Sequence, residues 1–285
     1  MTQGPRCSAL VATRNRWEPL TACALPSIRR QTRAVDQVVV VNDGAPFDAA
    51  REAVLRRILE PVPLVLLDNQ RVRGAAGAWN TGLQHLLASH REGYVALLDD
   101  DDTWDASHVA ENLRAAEREH ADIVISGLRL VIDGLERERA LPRGLVPRDF
   151  LVGNPGWQGS NTFVSRRSWE AVGGFRDGLQ SLNDRDLAIR LLRVPGVRVS
   201  YTGVWTATWN LSTRGGTLST PRSAAKISGL RWFWRLHGGE MSMPEADAFF
   251  ARARDLFSVQ RDEIEGGGDD VPSHQRPRGD LHESV

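Results

Sequence analysis

Short apolar runs alternate with longer amphipathic segments over the first 130 residues. The runs are CSALVAT (7–13), QVVVVND (37–43), PLVLLDN (63–69), YVALLDD (94–100) and DIVISGLRLV (122–131). Each has the length of a strand and is apolar at nearly every position. Residues 17–31, 47–60, 75–91 and 106–120 lie between them and place apolar residues at helical spacing. Strands buried on both faces and separated by helices predict a mainly parallel central sheet flanked by helices. Ligands of such sheets gather at the carboxyl ends of the strands. Thr13, Asp43, Asn69 and the aspartates from Asp99 stand at those ends.

The pattern changes after residue 132. DGLERERALPRGLVPRDF reads as a polar loop or hairpin, and the Gly-rich VGNPGWQGSNTF follows it. A strand over about 160–165, a helix over 166–173 and a second helix beginning near Asn183 come next. Two further helices are predicted over 223–238 and 244–262. The Gly- and Pro-rich polar stretch 263–285 is expected to be disordered.

Composition narrows the function. The 285 residues carry 36 basic and 36 acidic side chains, so nothing electrostatic favours nucleic acid. Every base but Lys226 is arginine. Cys7 and Cys23 are too few for a disulfide framework and form no CxxC pair, which suits a reducing compartment. The start lacks the apolar stretch of a signal peptide, and no run approaches a membrane span, so a soluble cytoplasmic protein is expected.

Two common phosphate-binding loops are missing. TRNRWEP follows the first apolar run and contains no glycine, and no G-x-x-x-x-G-K-[ST] occurs. Any nucleotide must then be held by side chains at strand ends. The run Asp99-Asp100-Asp101-Asp102 is the strongest candidate. Read as a solvated turn it is costly, because it closes a strand expected to be central. An EF-hand is excluded by Trp104 and Ala110 at its sixth and twelfth positions. A D-x-D-x-T phosphatase of the haloacid-dehalogenase type would use Asp99 as nucleophile and Asp101 as acid/base. That chemistry wants a lysine or arginine before a second acidic pair, and the only lysine lies far downstream. A D-x-D site for Mg²⁺ or Mn²⁺ on a nucleoside diphosphate uses hard oxygen donors and accounts for the crowded charge. Asp105, just before a helical segment, reads as its N-cap.

Several segments, in order, resemble the inverting family 2 glycosyltransferases of the GT-A fold. They are VATRNRWEPLTACALPSIRRQT, VDQVVVVNDG, RVRGAAGAWNTGL, YVALLDDDDTW, and WEAVGGFRDGL followed by NDRDLAIRL. The resemblance implies an α/β domain of GT-A type over 1–215, with a nucleotide-binding half to about 131 and an acceptor half beyond it. A helical C-terminal extension over 216–262 and the tail complete the chain. The implied activity is metal-dependent transfer of a sugar from a nucleoside-diphosphate sugar, UDP-linked in most relatives, to a hydroxyl of a soluble acceptor. A secondary metabolite is one such acceptor and a cell-envelope glycan the variant. A non-catalytic sugar-nucleotide-binding protein is the alternative that is not an enzyme.

Residue by residue, the resemblance places Thr13 and Arg16 in the nucleotide pocket, Asp43 on the base, Arg73 near the nucleotide and Asp99 near the ribose. Asp101 meets the Mn²⁺ or Mg²⁺, Asp102 orients a metal-bound water, and Asp100 points away. Asp184 is the implied general base; the alternative is a cap for a helix starting at Asp186 or Leu187. Trp157, Gln158 and Ser160 suit a sugar or acceptor contact, with a structural Trp157 as the alternative. Two positions depart from the family's pattern: Asn183 replaces its usual Glu, and Trp79 its usual Arg. No His follows the base segment until His237, a poor metal ligand. Trp232, Phe233 and Trp234 of the extension are expected to cover the acceptor side or to form a dimer contact.

Overall fold

A computed structural model describes residues 5–89, 92–137, 139–211 and 221–266. The chain begins with β1 (Cys7–Thr13), followed by α1 (Trp17–Pro19), a π-helical turn (Leu20–Ala24) and α2 (Leu25–Arg29). The single helix expected over 17–31 is therefore interrupted. Pro26 has no N–H to return to the preceding turn, and the wider π-turn absorbs the defect. β2 (Gln37–Asn42), α3 (Ala49–Leu59), β3 (Leu64–Asp68), α4 (Ala75–Ser89) and β4 (Tyr94–Asp99) follow in the order the apolar pattern gave.

The second half contains β5 (Thr103–Trp104), α5 (His108–Glu119), β6 (Ile123–Ile132), β7 (Leu135–Arg137), α6 (Asp149–Val152), β8 (Thr162–Ser165), α7 (Arg166–Val172), α8 (Asn183–Leu192) and β9 (Val199–Leu211). Three helices close the described chain: α9 (Ala224–His237), α10 (Met243–Phe257) and α11 (Arg261–Glu265). Helix α11 runs into the stretch expected to be disordered, because a Gln260–Glu263 capping box starts it and Ile264 is buried. The rest of that tail, from 267, and the expected boundary at 215/216 lie outside the described residues.

All strands join one sheet in the order β3-β2-β1-β4-β8-β6-β9-β5, with β7 pairing β6. The first four are parallel. β8 is inserted antiparallel between β4 and β6, and β6 runs parallel to β9. Apolar side chains fill both faces. Leu10, Val39, Val41, Leu97 and Ile125 point to one side, and Ala9, Val38, Val40, Leu98 and Val124 to the other. The first cluster also contains Leu187 of α8, Phe233 of α9 and Phe249 and Phe250 of α10, so the C-terminal helices share the main core. Phe233 is buried there, and Trp234 stacks on Phe249 and Phe250. Trp79 is core as well, stacked on Phe175 at 6.3 Å. No helix among the described residues is long and apolar enough to cross a membrane.

Candidate active site

β1 lies between β2 and β4, so the connections leave its carboxyl end in opposite directions and open a crevice there. Thr13 stands opposite Asn42, and Ala12 opposite Asp99. β4 ends at Asp99, and a turn over 100–101 breaks the strand's alternation. Asp100 therefore does not point away. It is buried, accepts a bond from Thr13 Oγ1 at 2.7 Å and pairs with Arg16 Nη1 at 3.2 Å. The other arm of Arg16, Nη2, meets Asp101 Oδ2 at 2.6 Å. Burial pushes the Asp100 carboxyl up to about 6 against the pull of Thr13 and Arg16.

Asp99 is raised to about 7, first by burial and then by the charges of Asp101, Asp100 and Asp184. Asp102 is buried and raised well above the usual range, chiefly by burial and next by Asp99. Its Oδ1 accepts the Asn210 N–H at 2.9 Å and its Oδ2 accepts Ser160 Oγ. With both oxygens bonded to protein, Asp102 holds the aspartate turn against β9. Asp101, with 22% of its side chain exposed, and the half-buried Asp99 are the two members of the run that are not buried.

The aromatic and hydroxyl contacts expected for a sugar are committed elsewhere. Trp157 is 2% exposed, edge-on to Phe150, and donates through Nε1 to Thr162 Oγ1 at 2.9 Å. Ser160 is fully buried between Asp99 and Asp102. Gln158 is half-buried and exchanges capping bonds with Asn161. Trp157 and Ser160 are thus buried with their polar atoms bonded to protein, as the structural alternative for Trp157 has it.

Asp43 is buried just beyond β2. It accepts Asn69 Nδ2 at 2.6 Å and the Gly74 N–H at 2.9 Å, which clamps the loop after β3. Arg73 is exposed on that loop. Asp105 is no helix cap: Ser107 occupies that position, and Asp105 pairs with Arg129 at 2.7 Å.

Asp184 lies near enough to Asp99 for its charge to raise that carboxyl. Helix α8 starts at Asn183, so Asp184 belongs to its first turn and does not cap a later start. The preceding Leu182 is left-handed, with φ 64°, a strained setting for a branched side chain. Asn154 Nδ2 donates to Asp184 Oδ2 at 2.6 Å, and the Arg185 N–H to Oδ1 at 3.0 Å. Asn154 is itself set by an Asx turn, its Oδ1 accepting the N–H groups of Gly156 and Trp157. Burial raises the Asp184 carboxyl, while Arg185, Lys226 and the Asn154 bond pull it back. Its neighbour Asp186 is fully buried and turned the other way, paired with Arg176, Arg190 and His237. His237 is thereby occupied far from Asp101's role.

The sequence assigns no site role to Asn154 or to Lys226, the single lysine, although Asn-Pro-Gly is a turn signature that marks the first. Lys226 Nζ donates to Ser181 Oγ at 2.7 Å and sits 4.4 Å from the Phe257 ring. Gly229 lets α9 press on the same loop, since a Cβ there would lie 2.6 Å from Ser181 Cβ. Burial lowers the lysine to about 8. Because its charge holds Asp184 down, Lys226→Met is expected to move the acid limb of a pH–rate profile upward, and Lys226→Arg to leave it in place. An acid limb unmoved in Lys226→Met would sever the link.

Among the described residues no three His, Cys, Asp or Glu side chains converge to hold an ion. Yet Asp99, Asp100 and Asp101 crowd the one guanidinium of Arg16, and Asp99, Asp100 and Asp102 are pushed toward protonation. Hard oxygens in such excess suit a divalent cation with Asp101 as its side-chain ligand and phosphate and water in the remaining positions.

The profile of glycosyl transferase family 2 matches residues 8–191, well over half of the chain. The chain belongs to that family. Membership sets aside the reading of Asp99 as a phosphatase nucleophile. An uncharacterized glycosyltransferase of Haemophilus influenzae is 22% identical over 198 residues, 66% of this chain and 62% of the relative. The succinoglycan biosynthesis protein ExoW of Rhizobium meliloti is 32% identical over 101 residues, 35% of this chain and 30% of its own length. The chain thus spans less than two thirds of these curated relatives. S. aureus TarS 1-349, solved with UDP-GlcNAc, superposes with a TM-score of 0.62 at 16% identity, covering 90% of this chain and 74% of TarS 1-349. The mannosyltransferase PcManGT of Pyrobaculum calidifontis, solved with GDP-Man and Mn²⁺, gives 0.56 at 22% identity over 89% of this chain and 70% of its own. The fold of this family 2 member is therefore GT-A.

Proposed function

We propose that this family 2 glycosyltransferase moves a sugar from a nucleoside-diphosphate sugar, UDP-linked by preference, to an acceptor hydroxyl with inversion. The observation that carries the reading is the proximity of two acidic elements beyond the carboxyl end of β4. The Asp99–Asp102 turn lies at the end of β4, and Asp184, close enough to raise Asp99, lies at the start of α8. Donor complexes of the structural neighbours support a nucleotide sugar, and the Mn²⁺ of PcManGT supports a divalent ion.

Thr13, Arg16, Asp43, Arg73 and Asp99 surround the nucleotide, and Asp101 holds Mn²⁺ or Mg²⁺. When bound, the metal neutralises charge on the departing diphosphate. Asn154 and the Arg185 N–H aim the carboxylate of Asp184, whose remaining lone pairs accept the acceptor's proton as the new bond forms. Asp184 acting as base on the acceptor hydroxyl, with no covalent sugar–protein step, makes the transfer a single in-line displacement. The test is release of nucleoside diphosphate from UDP- and GDP-sugars with Mn²⁺, with the anomeric configuration of the product read by NMR. Inverted product is expected; retained configuration would overturn the displacement.

A further inference from the structure

Basic side chains of this protein are mostly matched by acids: Arg148 by Glu245, Arg193 by Glu240, and Arg176 and Arg190 by Asp186. The surroundings of Asp184 break this rule. The charge of Arg252 reaches Arg139, Arg185 and Lys226, and Asp184 is the acid that all three of these share. Arg185 is satisfied by the carbonyls of Phe150 and Leu151, and Lys226 by Ser181. Arg139 and Arg252 have no carboxylate partner among the described residues.

Both border the same turn. Arg139 Nη2 donates to the Asn154 carbonyl at 3.3 Å, while its Nη1 is buried with no partner at all. Trp205 Nε1 anchors the Arg139 backbone carbonyl at 2.8 Å. Arg252, exposed on α10, approaches the turn from the other side, its Cζ 3.7 Å from where a Cβ on Gly153 would stand. Gly153 leaves that space open. Asn154 of this turn is the residue that aims Asp184. Arg139 and Arg252 repel, the charge of Asp184 reaches Arg139 without an ion pair forming, and an anion between the two guanidinium groups would relieve the repulsion.

We propose that Arg139 and Arg252 form an oxyanion subsite that takes a phosphate or carboxylate carried by the acceptor beside the hydroxyl that Asp184 deprotonates. The proposal rests on Asp184 as base and defines the acceptor class: an anionic hydroxyl compound. Guanidinium forks match both oxyanions. Arg16, paired with Asp100 and Asp101, belongs to the aspartate turn of the proposed donor site and not to this cluster.

The test is calorimetric titration of methyl phosphate and of acetate into protein saturated with Mn²⁺ and whichever of UDP or GDP binds. At least one probe is expected to bind the loaded protein, more weakly as salt rises. Arg139→Gln and Arg252→Gln should each weaken it about tenfold or more, as loss of a charged hydrogen bond does, and leave nucleotide affinity unchanged. Arg254→Gln, which removes an exposed guanidinium of the same helix, should have no effect. Arg252 is exposed, so its variant keeps the fold. The probe that binds tells phosphate from carboxylate. Absence of binding once the nucleotide site is filled, insensitivity to both variants, or a parallel loss of nucleotide affinity would each overturn the subsite. If neither nucleotide binds, the donor reading fails, and the same titrations of unloaded protein still decide the subsite.

Discussion

Asp184→Asn is expected to lower turnover by about 10²- to 10⁴-fold, the usual contribution of a general base, with nucleoside-diphosphate affinity unchanged. The substitution preserves shape, and the amide oxygen still accepts the bond from Asn154 that now reaches Asp184 Oδ2. What it removes is proton affinity. Steady-state rates with saturating donor, alongside a binding titration, separate the two effects. Turnover within a few-fold of the parent would remove Asp184 from the chemistry and leave it as a first-turn helix acid.

The second large effect falls on stability, two residues away. Asp186 is fully buried and accepts bonds from Arg176 at 3.0 Å, Arg190 at 2.9 Å and His237 Nε2 at 3.1 Å. Asp186→Ala leaves these groups facing one another without their acid. Removing one partner of a buried ion pair costs about 3–5 kcal/mol, so a large drop in unfolding midpoint is expected in denaturant titration. The pH dependence has a definite sign. Hydrogen bonding from His237 and the charges of Arg190 and Arg176, acting against burial, hold the folded carboxyl at about 2, below its ordinary 3.8. Its contribution is present above the unfolded value and is lost as pH falls toward 2. The parent should therefore lose stability over that acid range more steeply than the variant. Equal stability of the two proteins at neutral pH would show that Asp186 does not tie α8 to α9.

Much of the fold was legible because the parallel strands are buried on both faces. Their unbroken apolar runs placed β1 to β4, β6 and the intervening helices. β9 was missed because VSYTGVWTATWNL alternates small polar, glycine and aromatic residues and shows no apolar run. Its β-branched and aromatic content was the available signal. That strand matters to the site, since the Asn210 N–H turns Asp102 inward. The aspartate cluster and Asp184 were legible as residue types at strand and helix ends. Their individual orientations were not, because the turn after Asp99 decides which carboxylates face Thr13 and Arg16. Trp157 shows the same limit from the other side. An aromatic residue in a Gly-rich loop suits a sugar, yet its indole found Thr162 and the core. Lys226 lies 42 positions from Asp184 in sequence, and only the packing of α9 against the Ser181 loop brings them together.

Metal-assisted donor binding at Asp101 is the central claim, and calorimetry tests it most directly. Since Asp101 is partly exposed and already paired with Arg16, Mn²⁺ alone should bind weakly, and UDP or GDP should bind tightly with Mn²⁺ and poorly in EDTA. Asp101→Asn should abolish the difference. Equal nucleotide affinity with Mn²⁺ and in EDTA, in the parent protein, would contradict a metal at the end of β4.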